Sequence, residues 1–273
     1  FSQKLNRFFS QDLYNLLQTG TFAAIRVQKD EDGDPVTEKI IEENKDTRER
    51  KEFILNQLAE EKMSFSDQIY TVFAGGDDCF FIGGWDAILQ LAVKIQEKFA
   101  QTFADTSLTI SAGVVVVDNK FPVVQFAKLA DEALESAKRH GDGRANKINV
   151  FGENLTWSEF REAQKWALEL EKLVKRYREP RALVYRIKKA QTGYERLLRY
   201  AAETQSIRAP KVWRLAWYLR DKGGKRPQET EALLTNIMSY CENALLGFLL
   251  REKGANPAIL GVAARWAEFL TKN

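Results

Sequence analysis

The sequence predicts an α+β domain followed by an all-α domain. Residues 1–155 alternate apolar, strand-like runs with amphipathic helical stretches in the order helix, strand, strand, helix, strand, helix, strand. The tetrad Gly-Gly-Asp-Asp at 75–78 separates two short apolar runs, a pattern typical of a β-hairpin. Residues 156–273 show helical periodicity without a strand pattern. The predicted fold is a ferredoxin-like palm that lacks its first strand, followed by a helical bundle.

The first third of the chain predicts a helix, a strand, a charged excursion and a second helix. Leucine and phenylalanine recur at helical spacing as far as Leu17, and Gly20 is placed to end that helix. A strand is predicted from Thr21 to Val27. An exposed excursion is predicted over 28–47, and then a helix from Arg48 to Lys62.

The remaining palm elements follow the hairpin. A helix is predicted after Gly84, a buried strand over 108–117, a helix opened by Pro122, and a last strand over 148–151. The palm is therefore predicted over 1–155, and the boundary lies near 153–156.

The second predicted domain begins at a capping box. Thr156-Trp157-Ser158-Glu159 has the residue types that close a helix N-terminus, with Leu155 and Phe160 placed as a hydrophobic staple. The helical bundle is predicted over 156–273. Its expected helices are 156–178, about 181–204, about 209–221, about 228–253 and about 257–271.

Composition and charge narrow the classes of function. The 273 residues contain no apolar run of the ~18 residues that a membrane span needs, and no signal peptide is visible. Of the two cysteines, Cys79 lies in a predicted strand, which favours free thiols and a reducing cytoplasm. The lone His140 is predicted to be a loop residue.

The two predicted domains differ in charge. Residues 1–155 contain 18 Lys or Arg and 25 Asp or Glu, whereas residues 156–273 contain 23 and 13. An acidic domain favours metal binding and a basic domain favours a polyanion, although solvated charged faces would give the same counts.

Adjacent carboxylates at 77 and 78 are the candidate chemical site. Asp77 and Asp78 repel each other, and a divalent metal is their natural counter-charge because Mg²⁺ takes hard oxygen ligands. The alternative is an ordinary solvated turn, since glycine and aspartate are common turn residues.

Four pieces of the sequence form an ordered set: Leu5-Asn6-Arg7-Phe8-Phe9, the hairpin from Phe73 to Gly83, the stretch from Leu129 to Arg139, and Asn146-Lys147 with Val150-Phe151-Gly152 and Trp157. In this order they resemble the second palm domain of the large subunit of type III CRISPR effector complexes. That family is related to GGDEF cyclases and polymerases. The basic helical tail is similar to the family's last domain.

Several departures from the family patterns matter. Cys79-Phe80 follows the aspartates where GGDEF cyclases have an acidic residue and then Phe, which argues against a diguanylate cyclase. Ala74 stands where many relatives have Ser, and the segment from about 22 to 67 looks like an insertion in the palm, because the family usually reaches the hairpin sooner. The family's first palm strand carries a further metal-ligating aspartate, which would precede Phe1, so a fragment without it could fold and yet be inactive.

The resemblance implies synthesis of cyclic oligoadenylate from ATP, by attack of a ribose 3′-hydroxyl on an α-phosphate with release of pyrophosphate. Asp77 and Asp78 would be ligands of Mg²⁺ or Mn²⁺, two metals being the usual arrangement. Gly75 and Gly76 would let the nucleotide approach the backbone. Lys138 and Lys147 would meet the triphosphate, unless they are ordinary surface lysines.

The resemblance also implies partners: guide RNA, target RNA, other protein subunits and the N-terminal part of the large subunit, with no membrane. Basic residues of the helical domain are the candidate RNA contacts: Lys175, Arg176, Arg178, Lys188 and Lys189. The spacing of Trp213 and Trp217, with Tyr218, favours core positions over base stacking.

Two other functions stay open at this point. One is a catalytically inactive scaffold subunit of the same kind of complex, which only binds RNA and protein partners. The other is a cyclase that makes a different nucleotide product.

Overall fold

The computed structural model describes residues 2–44, 48–139, 145–191, 212–220, 226–249 and 256–272. The chain forms two compact units. The first contains Phe1–Ile25 and Glu60–Arg161, and the second contains Arg26–Ala59 and Glu162–Asn273. Most of the segment predicted as an insertion in the palm therefore belongs to the second unit.

The first unit opens with a helical run of three pieces: α1 (Ser2–Arg7), a π-helical turn (Phe8–Asp12) and α2 (Leu13–Thr19). The helix predicted here is confirmed, and it ends where Gly20 N–H donates to the Leu16 carbonyl. Phe8 and Phe9 are both buried although they are neighbours, and they lie in the wider π turn.

Strands and two further helices complete the palm unit. They are β1 (Thr21–Val27), β4 (Leu58–Ser64), β5 (Ile69–Gly75), β6 (Asp78–Gly83), α3 (Trp85–Thr102), β7 (Ala112–Val114), α4 (Val123–Arg139), β8 (Lys147–Val150) and β9 (Glu153–Thr156). Strand β1 pairs with β4, and β5 pairs with β6. Strand β7 runs parallel to β8, and β8 runs antiparallel to β9.

Aromatic rings from the opening helical run and from α3 form the core of the palm unit. The Phe8 ring centroid lies 5.2 Å from that of Phe99, and the Phe99 and Phe103 centroids are 4.6 Å apart. Cys79 and Phe81 of β6 pack against the same core. The strand that begins with Asp78 is thereby anchored from one face.

The second unit combines a hairpin with helices. Its elements are β2 (Thr37–Glu43), β3 (Arg50–Asn56), α5 (Trp157–Lys175), α6 (Ala182–Gln191), α7 (Val212–Leu219), α8 (Gln228–Leu249) and α9 (Ala258–Leu270). Asn56 Nδ2 donates to the Lys175 carbonyl at 2.7 Å, and Arg176 pairs with Glu38 at 2.7 Å. The hairpin is therefore bonded to the C-terminal end of α5.

The helix predicted from Arg48 to Lys62 is wrong, because this stretch forms β3 and most of β4. Its Lys and Glu residues have good helix propensity, but exposed and less exposed positions alternate along β3 with the period of a strand. Ion pairs across the hairpin join Lys39 to Glu52 at 2.7 Å and Arg50 to Glu43 at 3.0 Å. These cross-strand partners, absent from a local helix, favour the hairpin.

Two palm strands also differ from expectation. Strand β7 covers only 112–114 of the predicted 108–117. Strand β9 was not predicted, and its two-residue turn has Phe151 at φ +53° and Gly152 at φ +83°, the type I′ pattern. A phenylalanine rarely adopts positive φ, so its sequence gave no turn signal.

The capping box is confirmed. Thr156 N–H donates to the Glu159 carboxylate at 2.6 Å, and Glu159 N–H donates to the Thr156 hydroxyl at 3.3 Å. The described portions of the bundle agree with the predicted helices, whereas 192–211 and His140 lie outside the described residues.

Substituting Gly113→Ala tests the packing of α4 on β7. A Cβ there would lie 2.3 Å from the Leu134 nitrogen and 2.5 Å from the Ala130 carbonyl oxygen. Because these are backbone atoms, we expect the free energy of unfolding to fall by about 1–3 kcal/mol and amide hydrogen exchange in α4 to become faster. Gly75→Ala, whose Cβ meets nothing within 4 Å, is the matched control. Equal exchange in both variants would contradict the packing.

Candidate active site

The Gly-Gly-Asp-Asp tetrad forms the tip of the β5–β6 hairpin. Gly75 pairs with Asp78, so that Gly76 and Asp77 are the two turn residues. Gly76 has φ +68°, whereas Asp77 is not among the residues with positive φ. Glycine at the first central position is the type II′ pattern, whose twist matches that of the flanking strands. The predicted hairpin is confirmed.

Strand alternation directs Asp78 away from the palm core. Cys79 and Phe81 pack against the core, and successive side chains of a strand point to opposite faces. Asp78 and Phe80 therefore share the other face of the hairpin. Asp77 precedes them in the turn, so both carboxylates lie at the free end of an anchored strand.

The two carboxylates are exposed and available to a ligand. Neither Asp77 nor Asp78 forms an ion pair or a side-chain hydrogen bond with another described residue. Within the described ranges, no group of three or more His, Cys, Asp or Glu is arranged to hold a metal ion. The pair fits part of a Mg²⁺ site, which takes oxygen ligands from one or two carboxylates, from water and from phosphates.

Glycine leaves the backbone at the hairpin tip open. A Cβ added at Gly75 or at Gly76 would meet nothing within 4 Å. The positive φ of Gly76 requires glycine for backbone reasons, whereas Gly75 has no such requirement. Replacing Gly75 with alanine would therefore fill the open space at the hairpin tip without straining the turn.

The two lysines proposed for a triphosphate lie on different elements. Lys138 is in the last turn of α4 and pairs with Glu135 at 3.2 Å. The Phe126 ring, near the start of α4, neighbours Phe80 of the hairpin. The helix rises about 18 Å from Phe126 to Lys138, so Lys138 lies at the end of α4 away from that contact. Lys147 is the first residue of β8 and lies opposite Thr156 of β9 in the strand register.

Sequence reasoning missed an aromatic row beside the carboxylates. The ring centroids of Phe73 and Phe80 are 6.2 Å apart, and those of Phe80 and Phe126 are 6.4 Å apart. Phe73 is 52% exposed, and Val123 and Val124 at the start of α4 are also exposed. No local sequence signal indicates this row, because it forms only where α4 meets the hairpin.

Two β-sheets of the palm unit have edge strands that contact the same helix. Strand β6 is paired with β5, β7 is paired with β8, and α3 contacts both β6 and β7. Within the described part of the chain, β6 and β7 each pair with a strand on one side only, so the other edge of each is unpaired. Unpaired edges of this kind can accept a further strand.

Three of the five basic residues proposed for RNA are engaged in ion pairs. Lys175 pairs with Glu171 at 2.6 Å, Arg176 pairs with Glu38, and Lys188 pairs with Glu268 at 2.6 Å. Arg178 and Lys189 are exposed. The structure therefore does not bring the five residues together as one set of free cations.

The prediction that Trp217 is a core residue is wrong, because its side chain is 60% exposed. Tyr218 is half-buried, and the side chain of Trp213 lies outside the described residues. On α7 the buried positions are instead Leu215 and Leu219. These leucines, four residues apart, form the inner face, and Trp217 lies between them in sequence on the outer face.

The fold and the site together define a palm domain with an acidic hairpin. The chain belongs to the Cas10/Cmr2 family, whose second palm domain model matches residues 1–148. This confirms the family resemblance and the palm fold.

The curated relatives are longer proteins. Cas10/Csm1 of Methanocaldococcus jannaschii, a subtype III-A single-strand-specific deoxyribonuclease, is 33% identical in an alignment of 143 residues that covers 43% of this chain and 18% of that protein. Cas10/Csm1 of Thermococcus onnurineus is 37% identical over 84 residues, 31% of this chain and 10% of that protein. The matches thus span less than a fifth of each relative.

A solved structure shares the fold. It is a Csm1–Csm4 cassette in complex with pppApApA, with a TM-score of 0.53 and 16% sequence identity. The likeness covers 97% of this chain and 33% of that chain. Separately, none of the described helices has the length and apolar character needed to cross a bilayer.

The thiol beside the carboxylates gives a chemical test of the site. Burial, and then the charge of Asp78, raise the pKa of Cys79 to about 12, and burial raises that of Cys241 to about 12. Because only the thiolate reacts, the rate at which Cys79 is alkylated in a Cys241→Ser chain should continue to increase with pH beyond 9. Asp78→Asn should speed that alkylation, because it removes a charge that opposes thiolate formation.

Asp77→Asn is the control, since Asp77 does not contribute to the pKa shift of Cys79. Mass spectrometry of the alkylated peptide gives the rate at each pH. A plateau near pH 8.5, the ordinary range of a free thiol, would contradict the burial of Cys79.

Proposed function

We propose that this chain is the second palm and helical part of a type III effector large subunit that converts ATP to cyclic oligoadenylate when target RNA is bound. The observation that carries the proposal is the pair of exposed carboxylates at an anchored hairpin tip with open glycine backbone. Membership of the Cas10/Cmr2 family supports it, and the fold neighbour is a complex with pppApApA, a linear oligoadenylate.

The proposed reaction is a nucleotidyl transfer. A ribose 3′-oxygen bonds to the α-phosphorus of ATP, the bond from that phosphorus to the pyrophosphate oxygen breaks, and the hydroxyl proton passes to water. Repetition lengthens the chain. Attack by the terminal 3′-hydroxyl on its own 5′ α-phosphate then closes the ring, as the bond from that phosphorus to its pyrophosphate breaks and the hydroxyl proton passes to water. The palm's role is to align the attacking oxygen and the phosphorus, since orientation removes much of the entropic barrier.

Individual residues have distinct parts in that alignment. Asp77 and Asp78 would hold the Mg²⁺ or Mn²⁺ that offsets the negative charge of the phosphates. Gly75 and Gly76 leave room for the nucleotide against the backbone. Lys138 and Lys147 are proposed triphosphate contacts. Lys138 would have to break its ion pair with Glu135 to contact the triphosphate.

The unpaired edges of β6 and β7 suggest where the rest of the palm belongs. A strand between them would join the two sheets into one, as a ferredoxin-like palm requires. We propose that the N-terminal part of the large subunit provides this strand together with a third carboxylate. Guide RNA, target RNA and other protein subunits are proposed partners, and the fold neighbour is itself a complex of Csm1 with Csm4.

A scaffold that binds RNA and protein without turnover is the second candidate. It is favoured by the lack, among the described residues, of any group of three or more ligands around the hairpin. It offers no physical reason for two repelling carboxylates at an exposed tip. A cytoplasmic location is proposed with either function.

The double variant Asp77→Ala, Asp78→Ala should abolish ATP conversion by the assembled complex, because both metal-binding carboxylates are lost. Assembly should be unchanged, since neither side chain bonds to another described residue. Chromatography of the products from labelled ATP measures the first effect, and analytical gel filtration measures the second. Undiminished oligoadenylate from a fully assembled double variant would refute the assignment.

Gly75→Ala tests the approach of the nucleotide to the backbone. The added methyl meets nothing in the chain itself, so thermal stability should match wild type. ATP conversion should fall at least about tenfold, because the methyl occupies space that the nucleotide needs. Gly83→Ala is the contrasting variant, since its Cβ would lie 2.4 Å from the Gln68 carbonyl oxygen and should lower stability. Full activity of Gly75→Ala would exclude close contact at Gly75.

A further inference from the structure

The helices α6 and α7 contact each other and expose large aromatic side chains. Tyr185 on α6 is 47% exposed and Trp217 on α7 is 60% exposed. The opposite sides of both helices are buried, through residues that include Ile187 and Leu215. The rings are therefore not the packing surface of these helices, and their exposure costs free energy unless something covers them.

Cations accompany the exposed rings. The guanidinium carbon of Arg220 lies 4.4 Å from the Trp217 ring centroid, and Lys189 Nζ lies 5.6 Å from that of Tyr185. The guanidinium carbon of Arg186 lies 3.9 Å from the ring centroid of Tyr218. We refer to Tyr185, Arg186, Lys189, Trp217 and Arg220 as the aromatic–basic face.

The charges of this face are unneutralised by the described part of the chain. Arg186, Lys189 and Arg220 are exposed, and none forms an ion pair with another described residue. The neighbouring Lys188, by contrast, is held by Glu268. In the sequence, residues 181–220 contain ten Lys or Arg and two Glu. The surface therefore favours an anionic partner.

We propose that the aromatic–basic face binds single-stranded nucleic acid. Arg186, Lys189 and Arg220 would contact phosphates, and bases would stack on Trp217 and Tyr185. A duplex fits less well, because its bases are already stacked on one another. Tyrosine, tryptophan and arginine also anchor protein interfaces, but a protein partner would have to be strongly acidic to match these cations.

Binding at the aromatic–basic face does not depend on the chemistry at Asp77 and Asp78. The contacts with nucleic acid lie on α6 and α7 instead of on the ion-paired Lys175, Arg176 and Lys188. Stacking and phosphate contacts are open to both RNA and DNA, so both strands are compared.

The test measures binding of fluorescein-labelled oligo(U) and oligo(dT) of about 12 nucleotides to the full chain, by fluorescence anisotropy. Trp217→Ala should weaken binding about five- to a hundredfold, and Trp217→Phe should restore most of it because a ring is kept. The double variant Arg186→Glu, Lys189→Glu should weaken binding and flatten its dependence on salt. A shared loss indicates the chemistry common to both strands, whereas a loss confined to oligo(U) or to oligo(dT) identifies the strand.

Matched controls separate this face from general attraction. Tyr14→Ala removes an aromatic side chain that is also 60% exposed, in the palm unit, and Lys165→Glu reverses an exposed charge on α5. Both should bind as wild type does, and circular dichroism should show that every variant is folded. Unchanged affinity of Trp217→Ala overturns the proposal, as does an equal loss in Lys165→Glu.

A protein interface would give a different outcome. If Trp217→Ala leaves oligonucleotide binding intact but abolishes self-association in sedimentation, the face contacts protein and the proposal is wrong.

Discussion

The structure of the site depends on the packing of one short strand. Cys79 and Phe81 of β6 are held against a core of phenylalanine rings, and strand alternation then turns Asp78 and Phe80 outward. The positive φ of Gly76 closes the turn so that Asp77 stands beside Asp78. Two repelling carboxylates are thus fixed together by apolar burial elsewhere in the strand. A site of this kind has its charges in place before any ligand arrives, which is what electrostatic preorganisation requires.

Local sequence signals predicted much of the palm, because its helices and the hairpin carry their own periodicity and turn residues. The capping box at Thr156 and the glycine turn at Gly76 both formed as their residue types indicate. The prediction failed where distant partners decide structure. Arg50 and Glu52 have helix-forming neighbours, yet cross-strand pairing with Glu43 and Lys39 makes their segment a strand. No local pattern reports such a partner.

The candidate site shows the same division. Asp77, Asp78 and the glycines could be proposed from sequence, because two adjacent carboxylates at a predicted turn call for a counter-charge and because the hairpin resembles that of the family. The row formed by Phe73, Phe80 and Phe126 depends on α4 meeting the hairpin, and it is visible only in three dimensions. Trp217 was misplaced because helical spacing does not say which face of α7 is covered. The ion pairs of Lys175, Arg176 and Lys188 likewise join distant segments, so composition alone overstated the free positive charge.

We propose that the carboxylate hairpin serves nucleotidyl transfer with ATP. The most direct measurement is the mass of the products formed when the complete effector complex, with this chain in its full-length subunit, is incubated with target RNA, Mg²⁺ and either ATP or GTP. We expect cyclic oligoadenylates from ATP, each lighter by one water than the linear monophosphate oligomer, and only when target RNA is present. Products made from GTP, or no conversion of ATP by an intact complex bound to target RNA, would contradict it.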